Sequence, residues 1–236
     1  MSASAFISAS QRAKARRVKL IGALYLAGLV GVLGGLALGS GCGGGPVKQE
    51  ALLPASVYDT DLKPNYGRDL LALYYWRRPV VTFRIVGPGQ ATTIRQKPIK
   101  SLEFSPGQKA EIRSALVYWS GALGGASPQF VEVPATDTTA GIDFYCRSPG
   151  EDGDAETGLW LEDEPGQALG RAVVGLDNTS GRQFRFLTRH EAGHALGIAG
   201  HSKDSRDLMT DFRIIGVFSN DFTDRDRNTI RAGYRR

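Results

Sequence analysis

The residues best suited to chemistry are two histidines and a glutamate in one short stretch. His190 and His194 are four positions apart, so on a helix both project from one face and can bind a single metal ion. Glu191 lies on the same side, where it can take a proton from metal-bound water without being a ligand. The spacing therefore predicts a metal-dependent hydrolytic site carried by a helix.

A glycine and a third histidine extend this stretch. Gly197 suits the left-handed end of a helix, so the chain can leave the helix there and bring His201 back as a third ligand. Three protein nitrogens leave a fourth position on zinc open for water, which is typical of a catalytic site. All 3 histidines of the 236-residue chain fall in this stretch, which favours a shared metal over three unrelated surface or core residues.

The complete pattern, H-E-x-x-H-x-x-G-x-x-H, resembles the motif of the metzincin zinc metallopeptidases. Ser202 directly after it, and the later pair Leu208 and Met209, resemble the matrixin branch, in which a turn carrying methionine lies under the metal. The resemblance implies that Glu191 is the catalytic base and that Met209 supports the site. It implies one catalytic zinc ion with three ligands, His190, His194 and His201.

Two features depart from the matrixin pattern. Matrixins usually carry proline two residues after the turn methionine, where this chain has Asp211. We therefore expect the shape of the methionine turn to differ. Residues 210–218 are expected to form the wall of the pocket beyond the scissile bond. No histidine remains for a second, structural zinc. Cys146 matches no latency motif, and a small buried apolar residue is its expected role.

Residues 149–166 form an acidic, glycine-bearing stretch that we interpret as a loop. Carboxylate oxygens in a flexible loop can hold calcium, and matrixins often do so in the corresponding place. The spacing fits no defined calcium loop, so calcium binding and simple solvation remain alternatives.

Small residues precede the catalytic helix and suggest where a peptide could bind. In metzincins the matching edge strand lies along the cleft and pairs with an extended substrate. Backbone pairing needs an accessible strand edge, and a plain sheet strand is the alternative. The expected substrate-binding residues are Ala168, Leu169, Gly170, Arg171 and Ala172.

Local patterns predict the elements that position the site. The β-branched run 80–86 predicts a strand, and Ser105-Pro106-Gly107-Gln108 predicts a capped helix start on a helix ending near Gly124. Thr223 begins a capping pattern for a final helix, after which we expect no accessory domain. Two more strands are predicted at 130–133 and 142–145. We expect an α+β, metzincin-like domain: a twisted mixed sheet of about five strands, a long N-terminal helix, an active-site helix and a C-terminal helix.

The N-terminus has the pattern of an export segment. A basic region through Lys19 precedes an apolar run from Leu20 to Gly39 and then Cys42. It resembles a bacterial lipoprotein signal, in which a lipid-modified cysteine becomes the mature N-terminus, although such signals usually carry leucine where Gly39 stands. An uncleaved membrane anchor is the alternative. Both predict an exported protein at the bacterial cell membrane or surface.

Charge excludes a nucleic-acid partner. The formal net charge is +5, but five of the 29 basic residues precede Cys42, which leaves 24 against 24 acidic residues. We expect residues 1–41 to be the signal, 42–78 a tether or pro-like segment, and 79–236 a monomeric catalytic domain. The predicted function is that of a zinc metalloendopeptidase acting on peptide or protein substrates. A non-catalytic zinc-containing surface binding protein with the same fold is the alternative.

Overall fold

The computed structural model describes residues 61–94, 97–148, 155–162, 167–211 and 221–235, together with the backbone of a short strand at residues 38–40. The apolar part of the expected signal through residue 37, Cys42, and most of the expected pocket wall at 210–218 lie outside the described residues. The chain divides into two compact units, Met1–Gly35 and Leu36–Arg236. Only the second contains described residues.

Ten strands and three helices make up the described structure. The strands are β1 (Leu38–Ser40), β2 (Leu70–Leu73), β3 (Val80–Ile85), β4 (Ala91–Ile94), β5 (Lys97–Lys100), β6 (Gln129–Glu132), β7 (Ile142–Arg147), β8 (Ala155–Leu161), β9 (Leu169–Asp177) and β10 (Ile198–Gly200). The helices are α1 (Pro106–Leu123), α2 (Gly181–Ala195) and α3 (Asp224–Tyr234).

The main sheet has six strands in the order β1-β8-β9-β7-β3-β6. Strand β3 pairs in parallel with β6 and β7, and β7 pairs in parallel with β9. Strand β8 runs antiparallel to β9, and β1 runs antiparallel to β8. The expected α+β class, with three helices and a mixed sheet, is confirmed.

Helix α1 forms where the sequence predicts it and packs its apolar stripe into the core. Ser105 and Gln108 make both hydrogen bonds of a capping box, which satisfies amide groups that a helix start leaves without partners. Gly124, with φ of 63°, ends the helix. The stripe is fully buried and consists of Ile112, Ala115, Leu116, Trp119 and Leu123.

The segment before residue 79 belongs to the domain, so the expected tether at 42–78 is wrong for its described part. Tyr66, Leu73 and Trp76 are almost completely buried in the main core, and β2 pairs with β10, which directly follows helix α2. Apolar residues at this density bury themselves on folding, so the domain starts well before residue 79.

Residues 155–161 form a strand rather than part of an acidic loop. Strand β8 has a buried face and seven residues paired with β9. Its acidic side chain Glu156 forms an ion pair with Arg147. The glycines and acidic residues on both sides hide the strand pattern in the sequence. Residues 149–154 and 163–166 lie outside the described part.

Among the described residues, no helix is both long enough and apolar enough to cross a membrane.

Candidate metal centre

Helix α2 carries the first two histidines on its buried face. His190 and His194 are fully buried, and Glu191 is 1% exposed. The helix ends at Ala195, where the amide of Leu196 donates to the Ala192 carbonyl over 3.0 Å. Two imidazoles and a carboxylate are therefore buried near the C-terminal end of α2. They need polar partners, because burial of such groups without partners is costly.

Gly197 turns the chain away from the helix, as the sequence predicts. Its φ of 114° lies in a region that residues with side chains rarely adopt. A Cβ atom there would meet the Tyr74 carbonyl oxygen at 2.2 Å, while the Tyr74 amide donates to the Gly197 carbonyl over 2.8 Å. The close backbone contact therefore requires glycine and leads through β10 to His201.

The three histidines meet at one point. One ligand atom from each lies within 4.8 Å of the others, and the Nε2 atoms of His190 and His194 are 3.2 Å apart. His201 is half-buried and stacks its ring 5.2 Å from that of His190. Three imidazoles at these separations lie close enough to bind one metal ion.

Hydrogen bonds fix which nitrogen of each buried ring faces the metal position. His190 Nδ1 lies 2.8 Å from the Leu208 carbonyl oxygen, and His194 Nδ1 lies 2.6 Å from the Ile198 carbonyl oxygen. A carbonyl only accepts, so each Nδ1 must carry the hydrogen and a neutral ring then presents a lone pair at Nε2. Two lone pairs 3.2 Å apart repel each other. A cation bound by both nitrogens would remove that repulsion.

The environment keeps His190 in the neutral form that binds metals. Burial, together with the nearby His201, lowers the pKa of His190 to about 3, although the hydrogen bond with Leu208 acts in the opposite direction. An imidazole must lose its proton to bind a metal. At neutral pH His190 therefore needs no deprotonation before binding.

The turn at Leu208 and Met209 lies against helix α2. The Leu208 carbonyl holds His190, and the Met209 carbonyl accepts the amide of Ser202 over 2.8 Å, directly after the third histidine. Met209 is fully buried, and its sulfur packs against Gly193 between the first two histidines. The methionine predicted to support the site thus contacts the helix that carries it.

A buried carboxylate of helix α3 holds this turn. Asp226 accepts the amide of Leu208 over 3.0 Å, the amide of Met209 over 3.3 Å and the hydroxyl of Tyr66 over 3.0 Å. Burial raises the pKa of Asp226, and the amide donors of Leu208 and Thr223 oppose that shift. The sequence indicates Asp226 only as a helix-capping residue. Its second role depends on a contact across 17 residues that no local pattern shows.

A second buried carboxylate, Asp207, links the same turn to the start of helix α3. It accepts the hydroxyl of Ser202, the hydroxyl of Thr223 over 2.6 Å, and the guanidinium of Arg225 over 2.9 Å. A fully satisfied polar network of this kind is rigid. It fixes the chain on both sides of the turn.

Two aromatic side chains form hydrogen bonds with the carbonyl end of helix α2. Trp76 Nε1 donates to the Ala195 carbonyl over 3.0 Å, and the Tyr234 hydroxyl donates to the Leu196 carbonyl over 3.0 Å. These carbonyls are among those that a helix leaves without partners at its end. The two residues come from segments far apart in the chain, so their hydrogen bonds to the end of α2 are not predictable from the local sequence.

Gly193 offers a test of how tightly the turn packs. A Cβ atom there would meet Met209 Sδ at 2.4 Å and Trp119 Cζ2 at 2.6 Å. We expect Gly193→Ala to lower the free energy of unfolding by about 1–3 kcal/mol, the usual cost of overpacking. Gly121, an exposed glycine in helix α1, has nothing within 4 Å of the same position. Gly121→Ala should be neutral or stabilising by up to about 1 kcal/mol. Urea unfolding of both variants measures the difference, and equal stabilities would contradict the packing.

The candidate base Glu191 is held by strand β8. The hydroxyl of Thr157 donates to Glu191 Oε2 over 2.6 Å, and Thr157 is fully buried. Thr157 is not predicted as a site residue, since the sequence around it is typical of an acidic loop. No local signal marks it, because the contact depends on how β8 lies against the helix.

The expected free edge at Ala168 to Ala172 is wrong. Strand β9 has β7 on one side and β8 on the other, so its backbone groups already have partners. Ala168 forms a bridge to Tyr75, and Arg171 donates to the buried carboxylate of Asp143 over 2.5 Å. Gly170 and Arg171 are half-buried, whereas Ala168, Leu169 and Ala172 are fully buried. A local pattern predicts a strand but not its neighbours.

Cys146 has the buried role expected of it. Burial, with the nearby carboxylates of Asp177 and Glu103, raises the pKa of the Cys146 thiol to about 11. Only a thiolate is a strong metal ligand or nucleophile.

Within the described residues, the three histidines are the one group of three or more potential metal ligands. Calcium binding at 149–166 stays a prediction.

Comparisons with known proteins give no family. No protein-family model matches the chain, and no curated protein matches it. Among solved structures, a chain described as "GM1 bound form of the ECX AB5 holotoxin" is similar at 13% identity and a TM-score of 0.39, over 66% of this chain and 80% of that one. No argument about function rests on a likeness of that size.

Proposed function

We propose that this chain is a zinc-dependent endopeptidase of the metzincin type, closest to the matrixin branch. One observation carries the proposal: three imidazoles converge with two Nε2 lone pairs facing each other, on the helix that also carries Glu191. Strand β3, helix α1 and strands β6 and β7 occur close to the positions that the sequence predicts, with the strand pair β4 and β5 between β3 and α1. The motif and the geometry point to the same residues.

The donor set suits zinc. Three neutral imidazoles form a known catalytic zinc set, and they leave room for a non-protein ligand. His190, His194 and His201 would hold the ion. Bound there, zinc would lower the pKa of water toward about 7 and stabilise negative charge on a polarised carbonyl oxygen.

Glu191 supplies the proton transfers of hydrolysis. It accepts a proton from the attacking water as the water oxygen bonds to the peptide carbonyl carbon. It then passes this proton to the leaving amide nitrogen as the carbon–nitrogen bond breaks. Glu191 is 1% exposed, so its carboxylate is shielded from bulk water.

Strand β8 replaces residues 168–172 as the proposed binding site for substrate. On its side away from β9, β8 pairs with β1 through Leu38, Gly39 and Ser40. Cleavage of the leader before Cys42 would remove β1 and leave β8 as the edge of the sheet. A free edge has unpaired amide and carbonyl groups that can bind an extended peptide.

A peptide-library digestion tests this function. The mature chain, loaded with zinc, is incubated with a random peptide library, with and without a chelator, and new amino termini are identified by mass spectrometry. We expect internal cleavage that the chelator abolishes and added zinc restores. Zinc uptake with no cleavage of any peptide would instead support the alternative, a zinc-containing surface protein that binds without turnover.

We also propose that Cys42 anchors the exported protein to the membrane through a lipid. Replacement of the thiol removes the acylation site, so Cys42→Ser should move the protein out of the membrane fraction or leave an unprocessed precursor. Fractionation and mass spectrometry of the N-terminal peptide measure both. Cys146→Ser is the control, because the second cysteine is buried in β7. A wild-type protein that keeps its leader and carries no lipid on Cys42 would instead favour an uncleaved anchor.

A further inference from the structure

The carboxylate of Glu191 has a partner outside the catalytic motif. Thr157 Oγ1 lies 2.6 Å from Glu191 Oε2 and 3.3 Å from the Glu191 backbone carbonyl oxygen. The hydroxyl has a single hydrogen. The shorter distance lies in the range of a charge-assisted bond to an ionised carboxylate, so the hydroxyl donates to Oε2.

The donor is held rigidly. Thr157 lies in the middle of β8, opposite Val174 of β9, and this pairing does not depend on the leader. Its β-branched side chain has few rotamers, and it is fully buried. A donor on a paired strand cannot follow the carboxylate if it rotates, so the bond restricts the orientation of Glu191.

We propose that Thr157 is a positioning residue for the catalytic base. Its hydroxyl fixes Oε2, and proton transfer then falls to the other carboxylate oxygen, Oε1. Without the hydroxyl, the carboxylate loses a fixed orientation and reaches the reactive geometry less often. The inference rests on the proposed peptidase function, since it concerns the base of that reaction.

Substitution at Thr157 tests the inference in the zinc-loaded chain. Thr157→Val keeps the shape and removes the hydroxyl, and Thr157→Ser keeps the hydroxyl. We expect kcat of Thr157→Val to fall by about 10- to 100-fold, the usual effect of losing an outer partner. KM and the bound zinc should not change. Thr157→Ser should recover most of kcat, which a merely structural role would not require.

Thr188 provides a matched control. It is an equally buried threonine on helix α2, and its hydroxyl donates to the Phe184 carbonyl over 2.7 Å rather than to Glu191. Thr188→Val should keep its kcat. If Thr157→Val does not melt cooperatively, Thr157→Ala against Thr157→Ser gives the same comparison.

The outcomes separate the inference from the function on which it rests. Undiminished kcat in a folded, zinc-loaded Thr157→Val chain, beside an active wild type, overturns the role of Thr157 alone. An equal fall in Thr157→Ser and Thr157→Val also overturns it, because packing and not the hydroxyl then matters. A zinc-loaded wild type that cleaves nothing overturns the peptidase function, and the role of Thr157 with it.

Discussion

Glu191→Gln should abolish peptide cleavage while the protein still folds and binds its metal. The amide has nearly the same shape and can still accept the hydroxyl of Thr157, but it cannot take a proton from water. General acid–base catalysis contributes about 10²- to 10⁴-fold, and we expect kcat/KM to fall by at least that factor. Kinetics with one peptide that the wild type cleaves measure kcat/KM, and zinc analysis of the same samples shows whether the metal is still bound.

Glu132→Gln is the control for this change. Glu132 lies at the surface and forms an ion pair with Arg113 over 2.6 Å, and exposed pairs contribute little to stability. Its loss should leave both cleavage and zinc content unaltered. Undiminished cleavage by Glu191→Gln would remove Glu191 from the mechanism.

His201→Ala should weaken zinc binding strongly and abolish peptide cleavage. His201 is the half-buried member of the trio, so its truncation disturbs the core less than loss of His190 or His194. Substitution of a residue that only hydrogen-bonds to a metal ligand weakens metal binding by up to roughly 100-fold. Loss of the ligand His201 itself should weaken zinc binding by more than that. Competition with a chromophoric chelator measures the affinity, and cleavage assays follow the activity.

Cys146→Ala is the control for the ligand change. Its sulfur contacts the Glu103 carbonyl oxygen at 3.8 Å, and the buried thiol stays protonated at neutral pH. We expect this variant to bind zinc as the wild type does. Equal zinc affinity in His201→Ala and the wild type would show that the metal binds elsewhere.

The convergence of the three histidines is predictable from the sequence because their geometry is local. The spacing of His190 and His194 places both on one helical face, and the positive φ at Gly197 returns the chain to His201. The capped ends of α1 and α3 are local in the same sense, since Ser105 and Thr223 bond within their own first turn. Both helices occur where the sequence predicts them.

The surroundings of the site could not be predicted because they depend on distant contacts. Trp76 and Tyr234 meet the end of the catalytic helix from opposite ends of the domain. Asp226 holds a turn 17 residues earlier, and Thr157 reaches Glu191 across the sheet. None of these contacts leaves a periodic pattern in the sequence.

The error at residues 168–172 has a similar cause. The sequence of residues 168–177, with its small residues, predicts one or two strands, and Leu169–Asp177 forms one strand. Whether a strand lies inside a sheet or at its edge depends on which strands pair with it, and β8 was hidden among acidic residues and glycines. The partners of a strand follow from the order of strands in the sheet, which the local sequence does not encode.

Zinc content provides the most direct test of the account. The protein is purified without metal-affinity steps, and its metals are counted by mass spectrometry beside His190→Ala, His194→Ala and His201→Ala. We predict one zinc ion per wild-type chain and a marked loss in each variant. A folded wild-type chain that takes up no transition metal, or variants that retain a full equivalent, would contradict the three-histidine site.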